Sequence, residues 1–286
     1  MISFDVMVVQ DIQEVGQYLE LKFRLSLKWR DARIQLYNLK LDEALNALTL
    51  EEQLKLWTPT IVFWNTKQQL KSKNDHETFA IVKRTGNGTI IDRSVAEDIE
   101  VFKGKENDLT FSRVYSMKFF CEYQMAWFPF DIQTCTIQMV FDGVLDNYAD
   151  IVPGSLQFSG EKELTQYFVK TYKIEQGTIQ NQNKAVVVSL TLGRRLLGTF
   201  LTIFFPTIIL NVIGFATNFF KEFFFEVNRE LLSYFGIWSH KTNIPNHYYI
   251  QAVITVNLTS MLVLVTMFIN VSNNLPKTSY MKMMDV

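Results

Sequence analysis

The 286-residue chain is poor in cysteine, with only Cys121 and Cys135, and has no excess of either charge: 28 Lys and Arg stand against 29 Asp and Glu. Two cysteines are too few to fix a redox compartment by themselves. A formal charge of −1 offers no footprint for nucleic acid, so that class of partner is excluded. No internal repeat or low-complexity tract stands out. The start, Met1-Ile2-Ser3-Phe4-Asp5-Val6, lacks the basic residues and apolar core of a signal peptide. Nucleophile–base pairs, a phosphate loop and clustered metal ligands are all missing, so neither an enzyme nor a cofactor is expected.

What is present divides in two. Residues 1–195 form an ordinary mixed chain, whereas residues 196–286 hold two long uncharged runs. In the first part, Tyr18–Trp29 places apolar residues at odd positions and polar residues at most even ones, the period of a half-buried strand. Shorter strands are predicted at Phe79–Lys83, Tyr115–Tyr123, Thr134–Phe141 and Ala185–Leu192, with a short helix at Leu41–Leu48. Asn87-Gly88 and Gln176-Gly177 read as turns. Many short strands without βαβ spacing point to an antiparallel, all-β sandwich over 1–195.

Leu196–Phe220 is 25 residues without a charge. At 1.5 Å per residue it spans a bilayer of roughly 30 Å. Pro206 inside it is tolerated in membranes; a buried core helix is the other reading, but such helices rarely stay apolar on every face. Tyr248–Pro276 is the second run. Within it Thr255, Thr259, Leu262 and Thr266 fall on one helical face. Hydroxyls on such a face suit either a water-filled path with an apolar gate at Leu262 or polar contacts between membrane helices. The expected parts are a first helix at 196–220, a pore helix at 252–271 and the start of a third at 279–286.

Cys121 and Cys135 enclose thirteen residues, with Trp127-Phe128-Pro129-Phe130-Asp131 inside. That combination resembles the signature loop of Cys-loop receptors, the pentameric ligand-gated ion channels. Trp57-Thr58-Pro59, Gly193-Arg194-Arg195 and Leu275-Pro276-Lys277 resemble further family segments in family order. The resemblance implies a Cys121–Cys135 disulfide, worth roughly 3 kcal/mol for a loop of this size on the chain-entropy account, in an oxidising, extracellular setting. It implies a cis bond before Pro129, four further like subunits, a lipid bilayer, permeant ions and a plasma-membrane location. By family pattern, the chain begins upstream of Met1 and continues beyond Val286 to further helices.

The resemblance also assigns residues. Gating coupling falls to Glu14, Val15, Phe128, Pro129, Phe130, Arg194, Pro276 and Lys277. Ligand contacts fall to Arg24, Trp64, Tyr115, Phe141 and Asp142, and the inner selectivity mouth to Glu226, Ala252 and Val253. Gly177–Lys184, at the third binding loop, has no aromatic residue, which disfavours a quaternary amine held by cation–π attraction. The membrane segments look closest to invertebrate proton- and zinc-gated chloride channels. A proton, zinc or another extracellular small ligand is therefore expected, with Glu97, Asp98, Glu106 and Asp108 as titrating candidates and His76 as a weak candidate for titration or zinc. The plainer reading of each is a solvated surface group, and none is singled out as the sensor. Asn87-Gly88-Thr89 is a glycosylation sequon. Residues 227–251 have no family counterpart and no sustained period. They read as an anomalous insert: a retained intron or a genuine insertion, with Glu226 joined directly to Ala252 in the first case. A cation-selective channel and a non-conducting subunit are the competing functions.

Overall fold

The computed structural model describes residues 1–66, 70–92, 99–142, 149–179, 183–219 and 246–276. These divide into two compact units: Met1–Gln124 with Asp131–Arg194, and Met125–Phe130 with the residues from Arg195 onward.

Among the described residues the first unit has twelve strands: β1 (Ile2–Gln13), β2 (Tyr18–Trp29), β3 (Gln35–Tyr37), β4 (Ile61–Phe63), β5 (Phe79–Lys83), β6 (Thr89–Asp92), β7 (Ile99–Lys103), β8 (Asp108–Phe120), β9 (Ile132–Phe141), β10 (Pro153–Phe158), β11 (Tyr167–Ile179) and β12 (Asn183–Arg194). One sheet runs β10-β1-β2-β8-β5, a second β11-β12-β9-β4, and a small third β3-β7-β6. The pairing is antiparallel except that β10 lies parallel to β1. A strand reaching a sheet edge through a long connection is free of the hairpin constraint that forces antiparallel order.

Alternation makes the core. Leu19, Leu21, Phe23 and Leu25 of β2 are buried, as are Ile137 and Met139 of β9 and Val186, Val188 and Leu190 of β12. Phe23 in the first sheet meets Phe63 in the second edge-on, with ring centroids 5.7 Å apart, and Phe63 meets Tyr115 at 5.6 Å. Offset and edge-to-face ring pairs of this kind add specificity to burial.

Three expectations shift. The helix foreseen at Leu41–Leu48 is a shorter 3-10 turn, Glu43–Asn46, followed by α1 (Leu50–Lys55) with a Thr49–Glu52 capping box. The capping box holds the helix start at Thr49, which a helix ending at Leu48 could not use. Strand β8 begins at Asp108, seven residues earlier than expected. Gln176-Gly177 is not a turn but the interior of β11, where Gly177 pairs with Ala185. A Cβ on Gly177 would stand 3.1 Å from Val187 Cγ2, so the glycine permits close cross-strand packing there.

The second unit contains α2 (Leu196–Thr199), a π-helical turn (Phe200–Phe204), α3 (Phe205–Phe219) and α4 (Asn246–Asn273). Pro206 explains the π turn. Its ring clashes with the carbonyl four residues back and it has no N–H to donate, so the helix widens just before it. Helix α4 starts six residues before Ala252, taking in 246–251 of the segment read as an insert. No proline or glycine interrupts 246–273 to stop it. Residues 227–245, and the third helix expected at 279–286, lie outside the described residues. Leu196–Ala216 and Ile254–Asn273 are each long and apolar enough to cross a membrane, and no part of either window is buried.

Candidate functional site

The first unit keeps a charge network where its last strand ends. Arg194 closes β12 one residue before the cap of α2, and register places it directly across from Tyr167 of β11. Asp131 immediately precedes β9, and Glu14 lies in the β1–β2 turn. The Arg194 guanidinium donates from Nε to Asp131 Oδ1 at 2.7 Å and from Nη2 to Asp131 Oδ2 at 3.0 Å, a bidentate fork. Its Nη2 also lies 2.8 Å from Glu14 Oε1 and donates to Tyr167 Oη at 2.5 Å. Tyr167 in turn donates to Glu14 Oε1 at 2.5 Å, and its ring centroid lies 4.7 Å from the guanidinium carbon.

Only 6% of the Arg194 side chain and 2% of the Asp131 side chain are exposed. Burial alone would lower the Arg194 pKa. Hydrogen bonds to Asp131 and the charge of Glu14 reverse this and raise it. Burial likewise raises the Tyr167 hydroxyl, so it remains a donor. A buried ion pair gains little over an apolar filling, but losing one partner strands the other, so the network fixes one geometry.

The loop carrying Asp131 is fastened twice. Cys121 and Cys135 form a disulfide with Cα atoms 5.2 Å apart. Gln133 accepts the Gln124 N–H and donates to the Gln124 carbonyl, both at 2.9 Å, and donates to Asp131 Oδ2 at 2.5 Å. In the second unit, Phe128 donates its N–H to Met125 O and Phe130 to Trp127 O, around a cis Phe128–Pro129 bond. Phe128 is buried, while Trp127 and Phe130 are exposed.

Among the expected coupling residues, the structure brings Glu14 and Arg194 together. Val15 is exposed, Pro276 is buried and Lys277 lies outside the described residues. Asp131 and Tyr167 were missed. Asp131 had a signal, since it closes the quoted loop motif. Tyr167 had none: its partnership comes from β11–β12 register.

The ligand candidates do not form one group. Arg24 pairs with Val114 and is exposed, whereas Tyr115 pairs with Phe23 and is buried. Adjacent positions on a strand face opposite sides of the sheet, so Arg24 and Tyr115 cannot share a ligand within one subunit. Trp64 packs against Val62, Val140, Ile179 and Ala185. Asp142 holds Lys71 at 2.7 Å. Phe141 pairs with Ile61 and alternates with Val140, which sets it on the face opposite that cluster.

Of the titrating candidates, Asp108 is disfavoured. Burial pushes the Asp108 carboxyl up, but hydrogen bonds from Arg30 at 2.6 Å and Lys28 at 2.8 Å outweigh it and hold it below the ordinary carboxylate value. Such a group stays ionised in mild acid and is a poor proton sensor. Glu106 lies 3.9 Å from Lys105; Glu97 and Asp98 are outside the described residues. His76 is exposed, and its neighbours Asp75 and Glu77 are both engaged by Arg113. Among the described residues no group of three His, Cys, Asp or Glu stands ready for a metal. Asn87 is exposed between β5 and β6.

On α4, Thr255, Thr259, Leu262 and Thr266 are all exposed. The half-buried residues Val256, Asn257, Ser260, Leu264, Met267 and Val271 centre about 140° around the helix at 3.6 residues per turn. Asn257 marks the side facing α3, since a Cβ on Gly214 would lie 3.5 Å from its Oδ1. Thr259 and Thr266 donate to the carbonyls of Val256 and Val263 at 2.9 and 2.8 Å. Ala252 and Val253 lie in α4, and Glu226 is outside the described residues.

Residues 1–142 match the neurotransmitter-gated ion-channel ligand binding domain family. Two curated relatives are the gamma-aminobutyric acid receptor subunits rho-3 of Rattus norvegicus and Homo sapiens. Each is 20% identical over 299 aligned positions, covering 100% of this chain and 53% of the relative. The chain thus spans about half the length of the curated relatives it matches. Residues 1–142 thus belong to that family, one of channels and not of enzymes, and the disulfide loop and two apolar helices are those of a Cys-loop receptor subunit.

Proposed function

We propose that the chain is a subunit of a pentameric, chloride-selective channel of the plasma membrane, with the sandwich outside and α4 lining the pore. The observation that carries this reading is the stripe Thr255, Thr259, Leu262 and Thr266, exposed on the side of α4 turned away from α3. Five copies would ring a path with hydroxyls and close it at Leu262 by dewetting. The agonist is a small extracellular ligand, a proton or a metal ion. Two relatives are named as receptors for gamma-aminobutyric acid, which supports a small-molecule agonist. The resemblance of the membrane segments to proton- and zinc-gated chloride channels supports chloride. Against it, Glu226 would place five carboxylates at the inner mouth and favour cations.

The test is the reversal potential of the full-length protein at the cell surface during pH, zinc and gamma-aminobutyric acid steps. A potential that follows chloride replacement supports the reading; one that ignores chloride and follows sodium makes it a cation channel. Surface protein without current under every step, restored only by partner subunits, makes it a non-conducting subunit.

A further inference from the structure

The chain has three Asn-X-Ser/Thr sequons: Asn87-Gly88-Thr89, Asn257-Leu258-Thr259 and Asn270-Val271-Ser272. The last two lie inside Ile254–Asn273, long and apolar enough to cross a membrane. Asn87 stands in the first unit, on residues 84–88 between β5 and β6. That turn is anchored on both sides. Thr85 and Gly86 donate their N–H groups to Oδ1 of the buried Asn107 at 2.9 and 3.1 Å. A Cβ on Gly88 would stand 2.7 Å from Phe102 Cζ, so the Gly88 backbone lies directly on a buried ring. Between these anchors Asn87 is exposed. Other asparagines of the sandwich spend their amides on the fold. Asn38 Oδ1 accepts the Glu100 N–H at 3.0 Å, Asn46 Nδ2 donates to the Lys40 carbonyl at 2.9 Å, and Asn65 Oδ1 accepts the Gln138 N–H at 3.0 Å. Asn87 makes no such bond among the described residues.

We propose that Asn87 carries an N-linked oligosaccharide, and that the β5–β6 turn therefore faces away from neighbouring subunits. This rests on the reading that the chain is a pentamer subunit with its sandwich outside the cell. The donor is an oligosaccharide joined to a lipid through a diphosphate. Asn87 Nδ2 bonds to the anomeric carbon, and that carbon's bond to the diphosphate oxygen breaks. The lipid diphosphate leaves with the electron pair, and the amide loses one proton to a base. The sequon supplies the hydroxyl that the transferring enzyme requires, here Thr89. Transfer takes place on the nascent chain, before Thr89 Oγ1 settles on the Val101 carbonyl at 3.3 Å. The fold then has only to leave the Asn87 amide uncommitted and open to solvent, and it does both. Sugar hydroxyls are costly to desolvate, so a glycan here keeps this turn out of any subunit contact.

The test reads mass and not current, so it stands whether or not the chain conducts. Full-length protein made in cells that glycosylate secreted proteins should lose one step of apparent mass on treatment with a peptide-N-glycosidase. Asn87→Gln should migrate like the treated protein at an unchanged thermal midpoint, since no described hydrogen bond is lost. Thr89→Ser keeps the hydroxyl and should keep the step, whereas Thr89→Ala should lose it. The step should be present in pentamers extracted from the cell surface. Protein unmoved by the glycosidase overturns the proposal, as does a step that survives in Asn87→Gln or one confined to unassembled subunits. An antibody to the sandwich, applied to intact cells, separates the two ideas. Bound antibody without the mass step removes the glycan and leaves the sandwich outside; neither antibody nor step removes both.

Discussion

Arg194 grips Asp131 with two parallel hydrogen bonds of 2.7 and 3.0 Å, joining the last residue of the last strand to the loop closed by Cys121 and Cys135. Arg194→Gln would leave Asp131 and Glu14 buried without their cation, at a cost of about 3–5 kcal/mol. Arg194→Lys keeps the charge and loses the fork, so its cost should fall between that and wild type. Thermal midpoints of the three proteins, with surface labelling of cells expressing them, check the order. A midpoint for Arg194→Gln equal to wild type would show that the network contributes nothing.

Asp108 yields a pH prediction. Its carboxyl is held below the ordinary value by Arg30 and Lys28 against the opposing effect of burial. A depressed folded pKa gives stability that is present above the unfolded value, about 3.9, and lost as pH falls through the folded one. Between pH 8 and 5 the Asp108 contribution should therefore be flat. Asp108→Asn should lower the midpoint at every pH in that window by the same amount. Curves that converge as pH falls from 8 to 5 would show that Asp108 titrates there.

Strand β2 was legible because its whole length alternates, and its observed bounds are Tyr18–Trp29. The first apolar run was legible because soluble core helices rarely stay apolar on every face for that long. Gln176-Gly177 misled because glycine serves both a turn and a close cross-strand contact, and only the partner strand distinguishes them. Arg24 and Tyr115, both among the five assigned ligand contacts, lie on opposite faces of the sheet, which only register shows. Tyr167 lies 27 residues before Arg194, and nothing in the intervening sequence declares that they touch. Contacts made across strands follow from register, which a single strand does not encode.

Phe128 offers a test of coupling. It is buried at the loop tip, between the exposed rings of Trp127 and Phe130 in sequence. In the proposed channel this tip passes movement of the sandwich to the membrane helices. Phe128→Ala removes a buried ring, which costs about 3–5 kcal/mol where the site does not collapse. Subunits should still assemble, because the disulfide and the Gln124–Gln133 hydrogen bonds hold the base of the loop. The agonist concentration for half-maximal current should rise with surface protein present. Unchanged agonist sensitivity would remove Phe128 from the coupling path.

Leu262 offers the test of the pore. Its side chain is 64% exposed, on the stripe with Thr255, Thr259 and Thr266. The two threonines whose bonds are described return their hydroxyl protons to their own helix, at Val256 and Val263. Their oxygens are then left facing outward as acceptors for water. Leu262 interrupts that wettable face with an apolar ring, which in a closed pentamer expels water from the narrowest level. Leu262→Thr makes the stripe hydroxylated throughout, so the closed state loses its dry barrier while the helix keeps its packing face at Asn257, Ser260 and Leu264. The variant should conduct without agonist and respond to lower agonist concentrations. Cysteines placed singly at positions 255, 259, 262 and 266 should react with a water-borne thiol reagent in the open channel. A cysteine at 264, on the packed side, should not. Reaction at 264 with silence at the other four positions would mean that α4 turns its other face to the pore.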